Sequence, residues 1–458
     1  MSLHAPSVAL QVNLGDHGIQ FVEHGTRAIQ RLLPHVEVSD WQEAGWAQPG
    51  CVWTGTERRD VRVTITFGTR SNPAALSLTA TVRRRNIPGA NSVASEIIDI
   101  REHQICDLVA GRISDLLTNA PTLLTDPTSL KAIASEFDES VVSDHIQRHH
   151  AIELPVSAVL SALHTLSEQS YENKALTFGC VLDPKSKKRA HSSLFPGDFL
   201  RSKKYKALSD GFHTAYWVST HGAVVDFVDL DRAGEATLSE KHHFPDWAEP
   251  IAKVSRKGRC GIALSRQGDI LVFDEGTLRL TYRYGQWQYW NHVHLVKLLR
   301  DRAKAQRVPK QVLGRVVGAI YRVALDVSFR RSGGLFVILH NKNSLHDIVR
   351  PGDAIGDKDR QSTDASFDAV VAQRTIQSLP RSVAVELASL DGAVVLRNSG
   401  QVVAYGAVLQ PKRSGKLHGS EGSRTKAAIG ASNYGLAVKV SSDGDISVYH
   451  NGNEFIRV

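Results

Sequence analysis

Gly333-Gly334-Leu335-Phe336-Val337-Ile338-Leu339 is a continuous apolar run opened by two glycines. A strand with one wet face alternates apolar and polar residues, so an unbroken run marks a strand buried on both faces. Such a strand needs covering layers on either side. The sequence supplies them. A helical stretch around Phe367 to Ile376 follows, and then come strand-like runs at Ala393 to Leu396, Val402 to Leu409 across Gly406, Leu436 to Val440, Ile446 to Tyr449 and Phe455 to Val458. Five or six short strands with a helix on each side make an α/β (α+β) domain of ordinary size, about 130 to 150 residues, with a mixed sheet flanked by helices.

At 458 residues the chain is too long for that domain alone and suggests about three. Residues 1–125 mix strand and helix signals, with alternating runs at Val61 to Phe67 and Leu76 to Val82 and a helical pattern from Ile98 to Leu116. This predicts a small α+β domain. A stretch from 121 to 152, with Pro121, Asp126-Pro127 and a polar helical pattern, reads as a linker. Residues 153–292 open with a helix, Val156 to Leu166, and then become mainly β, with short runs at Leu176 to Leu182, Ala215 to Val218, Ala223 to Val228, Gly261 to Leu264, Asp269 to Phe273 and Leu278 to Tyr282. From His292 to Asp326 the pattern is helical on either side of Pro309, which begins a second helix and makes this a connector.

Composition is that of an ordinary folded chain, 42% hydrophobic and 22% charged. No apolar run reaches the length of a membrane span, and the N-terminus lacks the basic-then-apolar layout of a signal peptide, so a cytoplasmic location without membrane contact is expected. Cys51, Cys106, Cys180 and Cys260 form no C-x-x-C pair and read as buried reduced thiols. His145 and His149 lie four apart, a metal-compatible spacing, but no Asp, Glu or Cys completes a site nearby in sequence; with His150 they read as a solvated helix end. Two basic clusters, Lys185, Lys187, Lys188, Arg189 and Arg201, Lys203, Lys204, Lys206, fit a phosphate-rich ligand or nucleic acid with Tyr205 for stacking. Their shortness and lack of regular aromatic interleaving favour a solvated loop. The net charge of +8 suits a protein that handles anions without saying which.

The chemistry concentrates near the C-terminus. Asp391 stands at a strand edge beside Gly392, where a ligand can approach the backbone, and a carboxylate there can hold Mg2+ or Mn2+ or orient a hydroxyl. Asp-Gly is also a common turn dipeptide, so a plain turn competes with this. A second motif then adds weight. A loop from Pro411 to Glu421, rich in Lys, Arg, Gly and Ser, runs into Gly422-Ser423-Arg424-Thr425-Lys426 at the head of a helix expected from Thr425 to Ala431. Helix N-terminal amides, hydroxyls and two cations together suit a triphosphate.

These motifs resemble those of diadenylate cyclase domains, which condense two ATP into cyclic di-AMP. Leu390-Asp391-Gly392-Ala393-Val394-Val395 resembles H-D-G-A followed by an apolar strand, and Ala407-Val408-Leu409 the next strand, whose leucine lies near adenine. Gly422 to Gly430 resembles G-T-R-H-R-A-A-x-G, and Val440 to Val448 resembles V-S-E-E-x-G-x-I-S-V with one residue missing. The departures are Leu390 for a histidine, Thr425 for the middle histidine, Lys426 for the second arginine, and Ser442-Asp443 for paired glutamates. Lysine keeps the charge but loses the bidentate fork. The strand-rich middle region, ending in Gly285-Gln286-Trp287, resembles loosely the sensor domains that precede some of these cyclase domains.

The resemblance implies Asp391, Arg424 and Lys426 as catalytic, Gly392, Ala393, Leu409, Gly422, Ser423 and Thr425 as nucleotide-binding, and Asp391 and Asp443 as ligands of Mg2+ or Mn2+. It implies ATP as substrate, a homodimer or higher homo-oligomer in which two domains meet face to face, and regulation through an unknown ligand sensed upstream. A degenerate domain that binds nucleotide without cyclising it, and a basic nucleic-acid-binding protein, are the alternatives.

Overall fold

The computed structural model describes residues 8–44, 46–54, 58–67, 76–85, 97–119, 127–171, 174–187, 195–197, 200, 202, 205, 208–232, 238–239, 241–358, 365–372, 374–412 and 422–458. It is a mixed α/β structure in two compact units.

The first unit spans residues up to 86, 96–242 and 247–290. It opens with helix α1 (Val8–Leu32), which the sequence reading passed over, and an antiparallel five-stranded sheet of β1 (Val36–Val38), β2 (Gln42–Ala44), β3 (Gly50–Thr54), β4 (Asp60–Phe67) and β5 (Leu76–Arg84), in the order β1-β5-β4-β3 with β2 also on β5. The alternation read from sequence is seen in β4, where Val61, Val63 and Ile65 are fully buried. Helix α2 (Ile100–Asn119) follows, then α3 (Pro127–His150) and α4 (Val156–Ser167). The stretch expected as a linker is thus a 24-residue helix, and its Phe137, Val141, Val142 and Ile146 are buried in a core shared with α1, α2, α4 and the strands that follow.

After a short hairpin of β6 (Ser170–Tyr171) and β7 (Lys174–Ala175) comes a seven-stranded sheet: β8 (Phe178–Asp183), β9 (Thr214–Ser219), β10 (Val224–Asp229), then helix α5 (Glu249–Val254), β11 (Cys260–Leu264), β12 (Ile270–Asp274), β13 (Thr277–Arg283) and β14 (Gln286–Tyr289). The order is β10-β9-β8-β11-β12-β13-β14, antiparallel except for β8 beside β9. Trp287, Tyr289 and Trp290 are core residues, and the four cysteines are free thiols, three of them buried. Of the two basic clusters, only Lys185 and Lys187 lie within the described residues.

The end of α3 corrects another expectation. It is packed rather than solvated, with His145 and His150 buried, and Asp274 at the end of β12 lies beside His149 and His150. No sequence spacing could disclose that partner, which comes from a different element more than a hundred residues on.

Among the described residues, the second unit contains 243–246 and those of 291–458. Helices α6 (His292–Ala305) and α7 (Lys310–Arg330) divide at Pro309, which caps α7. They lead into β15 (Gly334–Leu339), α8 (Leu345–Ile348), α9 (Ala365–Val371), α10 (Arg381–Ser389), β16 (Ala393–Leu396), β17 (Val402–Ala407), α11 (Ser423–Ala431), β18 (Gly435–Val440), β19 (Ile446–His450) and β20 (Asn453–Arg457). The six strands lie in the order β17-β16-β15-β18-β19-β20, with β15 and β16 parallel and the remaining pairs antiparallel.

β15 is buried along its whole length, as its composition requires. Leu335, Val337 and Leu339 join a core with Ala428, Ile429 and Ala431 of α11. Gly334 faces the other side, where an added Cβ would meet the Ala388 carbonyl oxygen of α10 at 2.8 Å and Val327 of α7 at 3.2 Å. Burying each aliphatic side chain of this strand contributes about 1.5–3 kcal/mol. Helices α7 and α10 are joined by Asp326, 2% exposed, which accepts two hydrogen bonds from the Arg381 guanidinium at 2.6 and 2.8 Å; Arg381 also donates to the Phe244 carbonyl at 2.7 Å. That fork fixes α10, the helix that delivers Asp391.

One buried group in the first unit sets a pH dependence. His35 is 8% exposed, and burial, with Arg84 and Arg85 close by, lowers its pKa to about 3. The unfolded chain takes up this proton near 6.5 and the folded chain does not until about 3, so stability falls as pH drops through that window. One such group contributes a slope of up to about 1.4 kcal/mol per pH unit. In urea titrations from pH 7 to 4, His35→Gln is expected to flatten the loss of stability relative to the natural protein.

Candidate functional site

The parallel pairing of β15 and β16 sets the site. Phe336 is level with Val394, and the same offset carried back along both strands brings Gly333 level with Asp391. The start of β15, the start of β16 and the end of β17 therefore share one edge of the sheet with the end of β18, whose Val440 pairs with Gly334.

Asp391 is reached through Leu390, the extended residue that ends α10, and both are exposed. Its carboxylate makes no hydrogen bond or ion pair with the described residues. Gly392 has φ +112°, and a Cβ there would lie 2.4 Å from the carbonyl carbon of Gly406 in β17. The Asp-Gly turn therefore packs backbone to backbone on β17, and no side chain fits between them. Ala393 follows, buried in the sheet.

The second motif arrives from α11. Gly422 caps this helix in an extended conformation, and the first helical hydrogen bond runs from Lys426 N–H to the Gly422 carbonyl at 3.1 Å. The amides of Ser423, Arg424 and Thr425 have no partner inside the helix and point outward from its positive end. Ser423 and Lys426 are exposed, while Arg424 and Thr425 are half-buried. Arg424 reaches back to β15. An added Cβ on Gly333, where φ is +69°, would fall 2.3 Å from the Arg424 Nη1 atom. The bare α-carbon of Gly333 is what lets the guanidinium lie at the sheet edge beside the level of Asp391. The Pro411 to Glu421 loop lies mostly outside the described residues; Lys412 bonds Asp347 at 2.7 Å on the surface, which raises the Lys412 pKa.

Lys439 of β18 is the residue sequence reasoning missed. It is 7% exposed, and its ammonium donates to Thr425 Oγ1 at 3.0 Å. Burial, together with the charges of Arg457 and Arg424, pulls its pKa below the ordinary lysine range against the opposing pull of Glu454 and Asp445. The only available signal was one lysine in the run Gly435-Leu436-Ala437-Val438-Lys439-Val440, which reads equally well as a residue facing water.

Asp443 sits exposed in the turn between β18 and β19, where the Gly444 N–H bonds the Ser441 carbonyl at 3.0 Å. Leu409, expected beside a base, is half-buried against the α11 side of the core, and its backbone bridges to Val349. Among the described residues neither Asp391 nor Asp443 belongs to a cluster of three or more His, Cys, Asp or Glu donors. An exposed, unpaired carboxylate of this kind suits Mg2+ or Mn2+, which takes one or two protein carboxylates and completes its shell with water and phosphate oxygens.

Residues 323–454 match the family described as DisA bacterial checkpoint controller nucleotide-binding, the DAC family. The matched stretch holds every site residue described above. Similar solved structures include a hypothetical membrane spanning protein from Bacillus cereus, 20% identical over 36% of this chain and 74% of that one with a TM-score of 0.25, and a double mutant of DacA from Staphylococcus aureus, 22% identical over 32% and 90% with a TM-score of 0.24. Agreement at that level is too low to bear on function. No curated protein matches the chain. Among the described residues no helix is long and apolar enough to cross a membrane.

The fit of Arg424 over Gly333 can be tested on stability alone. Gly333→Ala combines a steric overlap with a left-handed backbone and is expected to cost about 1–3 kcal/mol in urea unfolding. In an Arg424→Ala background the overlap disappears, so the same substitution is expected to cost measurably less.

Proposed function

We propose that residues 311–458 bind ATP and, as two copies facing each other, condense two ATP into cyclic di-AMP with release of two pyrophosphates. The observation that supports this most is the convergence of Asp391 and Arg424 on one sheet edge, inside the stretch that matches the DAC family.

Each nucleotide presents its 3′-hydroxyl to the α-phosphate of the other. Asp391 accepts a hydrogen bond from that hydroxyl and orients it for in-line attack. One P–O ester bond forms and one P–O anhydride bond breaks at each α-phosphate, and the hydroxyl proton leaves to solvent. The departing pyrophosphate lies against the amides at the start of α11, the Ser423 hydroxyl and the cations of Arg424 and Lys426, which stabilise the charge that develops on it. Lys439 holds Thr425 in place and adds positive potential beneath this anion site. A magnesium or manganese ion held by Asp391, with Asp443 as the second carboxylate, would lower the charge on the phosphates and favour the attack. Because each copy supplies one nucleotide, the reaction needs a homodimer or a higher assembly. The first unit would then control how the copies meet, in response to a ligand it senses.

The runner-up reading is a domain that binds nucleotide without cyclising it. The exposed Leu390 beside Asp391, and a Thr425 hydroxyl already engaged by Lys439, favour it. Incubation with ATP and either Mn2+ or Mg2+, with products read by mass spectrometry, decides between them. Cyclic di-AMP is expected, reduced about a hundredfold or more in Asp391→Asn. ATP binding with no cyclic product under either metal would establish the runner-up instead. Lys439→Met is expected to weaken ATP binding about tenfold, the loss of one charge-assisted contact, while leaving the unfolding midpoint unchanged or higher because a buried charge is removed.

A further inference from the structure

In the first unit, His149 and His150 at the end of α3 and Asp274 at the end of β12 bring three ligand atoms within 4.8 Å of one another. The His149 Nε2 to Asp274 Oδ2 separation is 3.4 Å, and that from His150 Nε2 to Asp274 Oδ1 is 3.9 Å. Ligands of a tetrahedral ion at bond lengths of about 2.0–2.2 Å stand roughly 3.4 Å apart, so the two edges are near the required size.

The tautomers also suit an ion. His150 Nδ1 lies 2.9 Å from the Gly258 carbonyl oxygen, which can only accept, so Nδ1 carries a hydrogen and Nε2, on the side of Asp274, is the nitrogen available to an ion. A backbone carbonyl behind a histidine is the support that metal-binding imidazoles use. His150 and Asp274 are buried, whereas the His149 side chain is 26% exposed and leaves a way in.

Arg101 of α2 stands in the way, and informatively so. Its Nη2 hydrogen-bonds the same Asp274 Oδ2 and lies 3.5 Å from His149 Nε2. The guanidinium thus engages two of the three ligand atoms that an ion would use. Its own Nε is buried with no hydrogen-bond partner, so this placement satisfies Asp274 better than it satisfies Arg101.

We propose that His149, His150 and Asp274 form a binding site for a borderline divalent metal ion of the zinc class, in which the ion displaces the Arg101 guanidinium. Two imidazoles and one carboxylate select such an ion over magnesium or calcium, and the fourth position remains open on the side of His149. Binding would exchange a salt bridge between α2 and β12 for a coordinate link between α3 and β12. This proposal concerns the first unit and stands whether or not the second unit makes a cyclic dinucleotide.

The test uses the full chain, freed of metal by chelator and titrated with ZnCl2 by calorimetry, and with CoCl2 by the visible absorption of tetrahedral cobalt. One equivalent is expected to bind. His150→Ala and Asp274→Asn are each expected to weaken binding at least about tenfold, the range for loss of a ligand or its support. Arg101→Gln is expected to tighten binding, because the competing cation is gone. His149→Gln, at the most exposed of the three positions, provides a variant expected to fold normally and still lose the ion. Absence of stoichiometric binding in both the natural protein and Arg101→Gln overturns the proposal, as does zinc binding that survives His149→Gln unchanged.

Discussion

The parallel pairing of β15 with β16 is the constraint on which the second unit depends. A parallel neighbour cannot be reached by a tight turn, so the chain between Leu339 and Ala393 must cross over the sheet, and it does so through α8, α9 and α10. The crossover ends at Asp391, level with Gly333. Because every other pair in the sheet is antiparallel, the last residues of β17 and β18 come to the same edge as the first residues of β15 and β16. Two motifs separated by some thirty residues thus meet where no turn or local contact would bring them. Burial of β15 on both faces holds this arrangement, with α11 covering one side and α7 and α10 the other.

Periodicity made much of this legible. The Gly334 strand, the break at Pro309, the α2 amphipathic pattern and the alternation in β4 each fall where the residues call for them, because each depends on neighbours a few positions away. Helix α10 went unread, since Arg381 to Ser389 is short and two of its buried residues, Ala384 and Ala388, are alanines that mark no strong apolar stripe. The linker reading of residues 121–152 failed for a related reason, since its described part is mainly the packed helix Pro127–His150. That helix has a weak amphipathic pattern, and its place in the core comes from partners on α1, α2 and α4 that the local sequence does not contain.

Of the candidate site, Asp391, Gly392 and the head of α11 were readable because their spacing is itself the signal. Lys439 was not. Its burial is produced by Thr425 and the helix end lying over it, and a lysine between two valines in a strand otherwise indicates a wet face. Its position bears on the departures from the cyclase-like motif. Where the resemblance calls for histidine and arginine at 425 and 426, this chain has a hydroxyl bonded to an ammonium from the sheet, followed by an exposed lysine. The charge at 426 is kept without its bidentate fork, and Lys439 adds a further cation from below.

The Lys439 contact also ties the first turn of α11 to the sheet. Helix ends fray because their first amides lack partners inside the helix. Here one hydrogen bond to a lysine with a depressed pKa resists that fraying. An anion seated on the same amides would favour the charged lysine and close the turn further, so the amide protons of Ser423 to Lys426 should exchange with solvent at a rate that reports whether the helix head is occupied.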